Sequence, residues 1–193
     1  MSSGVRRRGS ELESAIFQAA IEHLEAVGYR KFTMEGVASA AQTGKAALYR
    51  RWDSKEELVR DAFLHVLPAP GDVPEHDDIR SDLLEILGQY RDMINATHGT
   101  MIEAIKAEGT TDTNGLLHMT IKNHVSDPLK ELLYQAIMRG VERGDVRPAA
   151  GTRDVAIVGP AMFTYNCLTV RPDVTDEYVT MVVDDILMPI LAP

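Results

Sequence analysis

Cysteine is almost missing from this sequence: Cys167 is the single one among 193 residues, so no disulfide can close within the chain. Apolar runs are short as well. None approaches the roughly 20 residues that a membrane-spanning helix needs, and the start MSSGVRRRGSELES has bases with no apolar stretch behind them. Export is therefore not expected, and a lone thiol fits a reducing cytoplasm, with Cys167 packed inside. The period-2 alternation of a half-buried strand is absent too, which removes sheet architectures. The six histidines are scattered, and His118 and His124, six apart, point from different faces of a helix, so no zinc spacing exists and neither metal nor cofactor is expected. Gly-x-Ser-x-Gly is missing. Gly44-Lys45 mimics a phosphate loop, but the preceding glycine, Gly36, stands eight residues back instead of five, and Ala46 replaces the required Ser or Thr. An enzyme is thus a poor reading.

What the chain does have is an uneven charge. The whole carries −9, yet residues 1–67 hold 10 Lys and Arg against 9 Asp and Glu, while 68–193 hold 10 against 20. The first part can approach phosphates; the second, at −10, has another task. Hydrophobic residues at 45% suffice to fill a core.

Helical spacing runs throughout. Ser10-Glu-Leu-Glu13 has the spacing of a capping box, and Leu12, Ala15, Ile16, Ala19, Ala20, Leu24 and Val27 follow on one face, predicting a helix over about 11–27. Gly28 sits at a left-handed stop. Thr33 can cap a second helix, about 34–41, with Met34, Val37, Ala38 and Ala41 inward. A third, near 44–51, turns Leu48 in, and Ser54-Lys-Glu-Glu57 opens a fourth over about 55–67. Pro68-Ala-Pro-Gly-Asp-Val-Pro74 cannot be helix and marks the expected border between a 1–67 region and a 68–193 region. Beyond it helices are expected from Ile79 to about Tyr90, from about Met101 to near Gly109, over Leu116–Val125 and Leu129–Val141 as one or two, over 153–170 with Pro160 kinking it, and over 176–190 capped by Thr175. The fold class is all-α, about nine helices.

Residues 33–59, TMEGVASAAQTGKAALYRRWDSKEELV, concentrate Lys45, Arg50, Arg51 and Lys55 in eleven positions. Two helices and a tight turn, the second helix short and basic, fit a helix-turn-helix whose second helix enters the DNA major groove. Ala46 and Ala47 keep the surface low and can touch thymine methyls, while Lys45 reaches a guanine edge or a phosphate. Tyr49, Arg50, Arg51 and Lys55 are placed for backbone phosphates. Leu48 and Trp52 are read as core that holds the reading helix. Arg6, Arg7 and Arg8 have two readings, a DNA-binding arm or an untethered basic terminus.

The stretch from Gly28 to Val59, GYRKFTMEGVASAAQTGKAALYRRWDSKEELV, resembles the DNA-binding region of TetR-type transcriptional repressors: an apolar first helix, a Gly-Tyr connection, two reading helices, then Leu-Tyr-x-x-aromatic and Ser-Lys-Glu-x-Leu. About 50 residues, roughly 10–60, carry the match. By this resemblance Thr33, Tyr49, Arg51 and Lys55 fall on phosphate-contacting positions, and Gly44, Lys45, Ala46, Ala47 and Arg50 on groove-facing ones. The chain departs from the family in its turn, where Gln42 and Thr43 replace a glycine and an apolar residue and Gly44 replaces a Ser or Thr cap. A glutamine held left-handed costs on the order of 1 kcal/mol, which favours a turn drawn differently.

The resemblance also implies that the helical remainder binds a small-molecule inducer and forms a homodimer through the last two helices, which would place two reading helices on a palindromic operator as a repressor does. Glu142-Arg-Gly-Asp-Val-Arg147 and Gly159-Pro-Ala-Met-Phe-Thr-Tyr165 resemble the turn and penultimate helix of some members. Tyr90, Met93, Met101, His118, Met119, Lys122, Tyr134, Met138 and Phe163 are candidate pocket residues for an apolar or amphipathic effector, with ordinary core packing as the competing reading of each. The rival for the whole chain is a helical module that binds only protein, which leaves the clustered bases without a purpose.

Overall fold

A computed structural model of the chain describes residues 9–67, 75–97, 99–109 and 115–193. Arg6, Arg7, Arg8 and the Pro68–Pro74 loop lie outside the described residues. Within them the chain is helical, with two short 3-10 turns and no strand.

The first four helices are α1 (Ser10–Val27), α2 (Met34–Ala40), α3 (Lys45–Tyr49) and α4 (Lys55–Val66). Ile16, Phe17, Ala20, Ile21 and Leu24 line one side of α1 at helical spacing and are buried against Leu58, Val59, Ala62 and Phe63 of α4. Ser54 caps α4 as its spacing predicts, its Oγ accepting from Glu57 N–H at 3.2 Å, while the Glu57 carboxylate accepts from Asp53 N–H at 2.9 Å. Ser10, by contrast, is not a cap. The helix begins one residue earlier, because Gly9 takes φ 67 and its carbonyl receives Glu13 N–H at 3.2 Å. A glycine can make that turn, so the serine hydroxyl is not needed.

The remaining helices are α5 (Ile79–Ala96), α6 (Thr100–Gly109), α7 (Leu116–Ile121), α8 (Asp127–Arg143), α9 (Arg153–Ala156), α10 (Val158–Thr169), α11 (Asp176–Met181) and α12 (Met188–Leu191). Wide π turns at Lys122–Ser126 and Val182–Leu187 join α7 to α8 and α11 to α12, the first closed by Asp127 N–H to the Lys122 carbonyl, so each pair runs on as one rod. Pro160 interrupts the expected 153–170 helix more sharply than a kink: with no N–H for the Ala156 carbonyl, the helix breaks at Ile157, and the proline falls in the first turn of α10.

α5 is the central strut. Its Leu83, Ile86 and Leu87 pack on Leu133, Ala136 and Ile137 of α8. Its Asn95 side chain binds the backbone of Val174 both ways, at 2.8 and 3.0 Å, and its Arg80 makes a two-pronged pair with Asp184 at 2.7 and 2.9 Å. α7 packs against α4, so the two halves of the chain share a buried seam.

Candidate nucleic-acid interface

α2 starts on Thr33, whose Oγ1 accepts Gly36 N–H at 3.1 Å. Met34, Val37 and Ala38 point inward, and α2 lies close on α1 because residue 36 is glycine: a Cβ there would stand 2.2 Å from His23 Nε2. The helix ends in a paired hydrogen-bond stop, with Gln42 N–H to the Ser39 carbonyl at 3.1 Å and Thr43 N–H to the Ala38 carbonyl at 2.9 Å. Gln42 takes φ 53 to do so, the one non-glycine described residue at positive φ. The redrawn turn expected from sequence is therefore wrong. Ala41 and Leu48, buried on either side of the turn, hold it in place and offset strain of about 1 kcal/mol.

α3 is seated by Leu48, without exposed surface, and by Trp52, whose Nε1–H donates to Asp61 Oδ2 at 2.9 Å and whose ring meets Phe17 edge-on at 5.6 Å. Burying a leucine is worth about 1.5–3 kcal/mol, enough to fix so short a helix on its neighbours. Its other face is open. Gly44, Lys45, Ala46, Arg50 and Arg51 are exposed, Ala47 is half-buried, and Tyr49 is 43% exposed. Gly44 precedes the helix at φ −80 with nothing within 4 Å of a built Cβ, so neither backbone strain nor internal packing asks for a glycine there.

The cations are not equivalent. Lys45 is paired across the turn with Glu35 of α2; the ammonium holds the Glu35 carboxyl below the usual carboxylate range, and the carboxylate pushes the lysine up. Lys45 Nζ also lies 5.5 Å from the Tyr49 ring. Arg51 folds back to donate to the Ala47 carbonyl at 3.2 Å. Lys55 is half-buried, donating to the Tyr29 carbonyl at 3.3 Å and lying 4.4 Å above the Tyr29 ring. The structure thus gathers the nine predicted residues on or beside one helix-turn-helix, with Thr33 and Lys55 also tied to the framework. Glu35 was missed from sequence; its exposed place in the first turn of α2 was readable, but only the fold brings it to Lys45.

The second half of the chain encloses a cavity of about 650 Å³. Of the nine residues expected to line a pocket, Tyr90, Met101, His118 and Lys122 do so. The other five lie elsewhere. Met93 is in the core, and Phe163 is fully buried behind Tyr90 with the rings stacked at 5.7 Å. Tyr134 carries the Arg153 guanidinium 4.1 Å above its ring, the Met138 sulfur packs at Gly151, and Met119 is turned to solvent. Six of the fourteen lining residues are aliphatic: Ile94 from α5, Ile102 and Ile105 from α6, Ile121 and Val125 from the α7 rod, and Leu168 from α10. Lys106, Ser126, Thr164 and Thr169 complete the wall. Burial pushes the Tyr90 phenol up, against a hydrogen bond with Thr164, so it stays protonated at neutral pH. Burial likewise raises the Cys167 thiol.

Two family models match the chain. One, described as bacterial regulatory proteins of the tetR family, covers residues 16–62; the other, a tetracyclin repressor-like C-terminal domain, covers residues 73–186. The DNA-binding transcriptional repressor TetR of Mycobacteroides abscessus is 29% identical over 188 residues, spanning 96% of this chain and 97% of that protein. An uncharacterized HTH-type transcriptional regulator of Mycobacterium tuberculosis is 28% identical over 182 residues, 94% of this chain and 89% of its own length. Among solved structures, the TetR family regulator PfmR of Thermus thermophilus has a TM-score of 0.64 at 26% identity, over 89% of this chain and 96% of that one. FadR of Bacillus subtilis, solved with stearoyl-CoA, shares the fold at a TM-score of 0.66 and 14% identity, over 92% and 96%.

Proposed function

The chain belongs to the TetR family of transcriptional regulators, which are DNA-binding proteins and not enzymes, and from that premise we propose that it is a repressor that holds a palindromic operator as a homodimer and lets go when a small molecule binds. One observation carries this reading: a five-residue helix, seated by Leu48 and Trp52, presents Lys45, Ala46, Tyr49 and Arg50 outward and has no side chain at Gly44. Small residues and cations on so short a helix let a duplex come close. Lys45 exchanges Glu35 for a base edge or phosphate, Ala46 and Ala47 face the groove with Arg50, and Thr33, Tyr49, Arg51 and Lys55 hold phosphates.

The division of labour follows the charge. Residues 1–67 form the DNA-binding part, and 68–193 the part that pairs and senses, in the cytoplasm where the operator is. Pairing through the last two helices is supported by Ile157, just before α10, and Tyr165 within it, apolar side chains 47% and 62% exposed. A helix apolar on its outer side as well as its inner one calls for a partner. The outer face of α11 is acidic at Asp176 and Glu177, so α10 supplies the apolar centre. Two copies would set reading helices one DNA turn, about 34–36 Å, apart. The cavity takes an apolar or amphipathic effector, and an effector that binds better to a differently spaced dimer shifts the population off DNA by roughly 1–3 kcal/mol.

Selection of bound duplexes from random DNA with the full-length protein tests the reading. The expected product is an inverted repeat whose binding weakens steeply with salt. Lys45→Ala relaxes base preference, and Lys55→Ala weakens all sequences alike. An absence of any enriched sequence, or affinity indifferent to salt, overturns it.

A further inference from the structure

The cavity carries a charge pattern opposite to the body around it. Residues 68–193 hold twice as many acids as bases, 20 against 10, yet among the described residues the ionisable side chains on the cavity wall are Lys106, Lys122, His118 and Tyr90, with no acid among them. The wall is also graded. Ile94 and Met101, at 1% and 3% exposure, form its apolar depth, whereas the Lys106 and Lys122 side chains are 50% and 48% exposed at its mouth. The two lysines come from different helices: Lys106 from the last turn of α6, Lys122 from the π turn that also turns Val125 and Ser126 to the cavity. Each has an acid neighbour off the cavity wall, Asp127 bonded to Lys122 and Glu103 at 3.8 Å from Lys106. Exposed pairs of this kind contribute little and hold long side chains loosely, so both ammoniums can turn to a ligand.

Resting on the ligand-responsive reading above, we infer that the effector is an amphipathic anion: a carboxylate whose hydrocarbon lies against the isoleucines and whose head meets Lys106 and Lys122 at the mouth. A neutral apolar ligand would gain nothing from either ammonium, and a cationic head would be disfavoured beside them. The hydrocarbon sets affinity and the lysines set the sign of the charge.

Calorimetric titration of the full-length protein with decanoate, 1-decanol and decylammonium, below their aggregation concentrations, tests this. Decanoate is expected to bind about tenfold more tightly than decanol, with decylammonium weakest. Octanoate should bind about tenfold more weakly than decanoate, since two methylenes leave the wall. In the K106Q/K122Q double variant the gap between decanoate and decanol should close while decanol affinity stays, which also shows the cavity is still folded. Equal binding of decanol, preference for decylammonium, no binding of any probe, or a gap that survives the double substitution overturns the inference. Operator affinity measured on the same samples separates the two readings. Lysine-dependent decanoate binding without a change in DNA affinity sinks the release mechanism and leaves the ligand class standing. Release of DNA by the decanol or decylammonium arm alone sinks the ligand class and leaves the regulator.

Discussion

The helices before residue 67 and those after residue 75 pack by the same rule and leave opposite things uncovered. In the first group a small core of Leu48, Trp52 and Phe17 is complete, and the distinctive residues, Lys45, Tyr49, Arg50 and Arg51, stand outside it. In the second acids outnumber bases, and the distinctive space lies between α5, α6, the α7 rod and α10. A convex cationic surface needs rigid seating, because a reading helix that rocks loses its register on DNA. A cavity needs walls that can move, and a π turn in its lining is a place where helix geometry yields. On the reading proposed above, the seat of α3 is where stability serves function, and the cavity is where incomplete packing does.

The largest test breaks the seat. Leu48→Ala removes a side chain without exposed surface and should cost about 2–5 kcal/mol. Hydrogen exchange should show amides of α1 to α4 losing protection while those of α5 and α8 keep most of theirs, with DNA binding lost well below the melting point. Equal loss in both groups would mean that the two regions unfold as one, and the contrast drawn above would fail. Asp82→Ala strikes the other region. The Asp82 carboxylate has no exposed surface, accepts from His76 N–H at 2.8 Å, and lies 3.6 and 3.5 Å from the Arg139 and Arg143 guanidiniums. Its Oδ2, the atom nearest those cations, makes no directed hydrogen bond, so charge proximity holds the cluster rather than aligned bonds. A loss of about 3 kcal/mol is expected, the low end for breaking a buried pair, and roughly 6–12 °C in thermal midpoint. Operator binding of the protein that remains folded at low temperature should survive. An unchanged midpoint would show that this cluster does not hold α5 to α8.

The same contrast explains what could be read from sequence. The helix-turn-helix is spelled by neighbours: Thr33, Gly44 to Tyr49 and Ser54 occupy one continuous segment, and helical spacing alone separates Leu48 from Lys45. The helices themselves were legible for the same reason, since their inner faces repeat locally. What failed depends on residues far apart or on backbone choices that compete closely. Ser10 lost its capping role to a neighbouring glycine, and Gln42 accepted a left-handed turn because buried Ala41 and Leu48 outweigh its strain. The cavity was the least legible. Four helices contribute to it, and its wall is built from isoleucines that look like core in any one helix; residue chemistry drew attention to Met93, Tyr134, Met138 and Phe163, which fill space elsewhere. The Asp82 cluster was invisible in sequence, because Arg139 and Arg143 meet it from another helix.

A smaller pair of changes sharpens the contrast at matched positions. Each region ends a helix on a residue in the left-handed region, Gln42 at φ 53 after α2 and Gly144 at φ 90 after α8. Gln42→Gly should stabilise by about 0.5–1 kcal/mol, and Gly144→Gln should destabilise by a similar amount, both read from urea midpoints. Base preference should not change with Gln42→Gly, because α3 keeps its seat. A stabilised protein with altered preference would mean that the strain at Gln42 sets how α3 meets DNA.

The smallest effect separates the regions by pH. Ser54 caps α4 with a hydroxyl that does not titrate in the acid range, whereas Asp78 caps α5 with a carboxylate, accepting Ser81 N–H and the Ser81 hydroxyl, each at 2.8 Å. Those two bonds, the backbone one first, hold the Asp78 carboxyl below its ordinary value. A depressed folded pKa means that its contribution is present above the unfolded value, about 3.9, and is lost as pH falls through the lower folded one. Asp78→Asn keeps a capping oxygen without the titration. Its stability should therefore fall less steeply than that of the parent from about pH 4 downward, with the two curves parallel at neutral pH. Hydrogen exchange of the first turn of α5 should report the difference while the first turn of α4 reports none. Curves that stay parallel through the acid range would show that the Asp78 bonds to Ser81 are not what ties the start of α5.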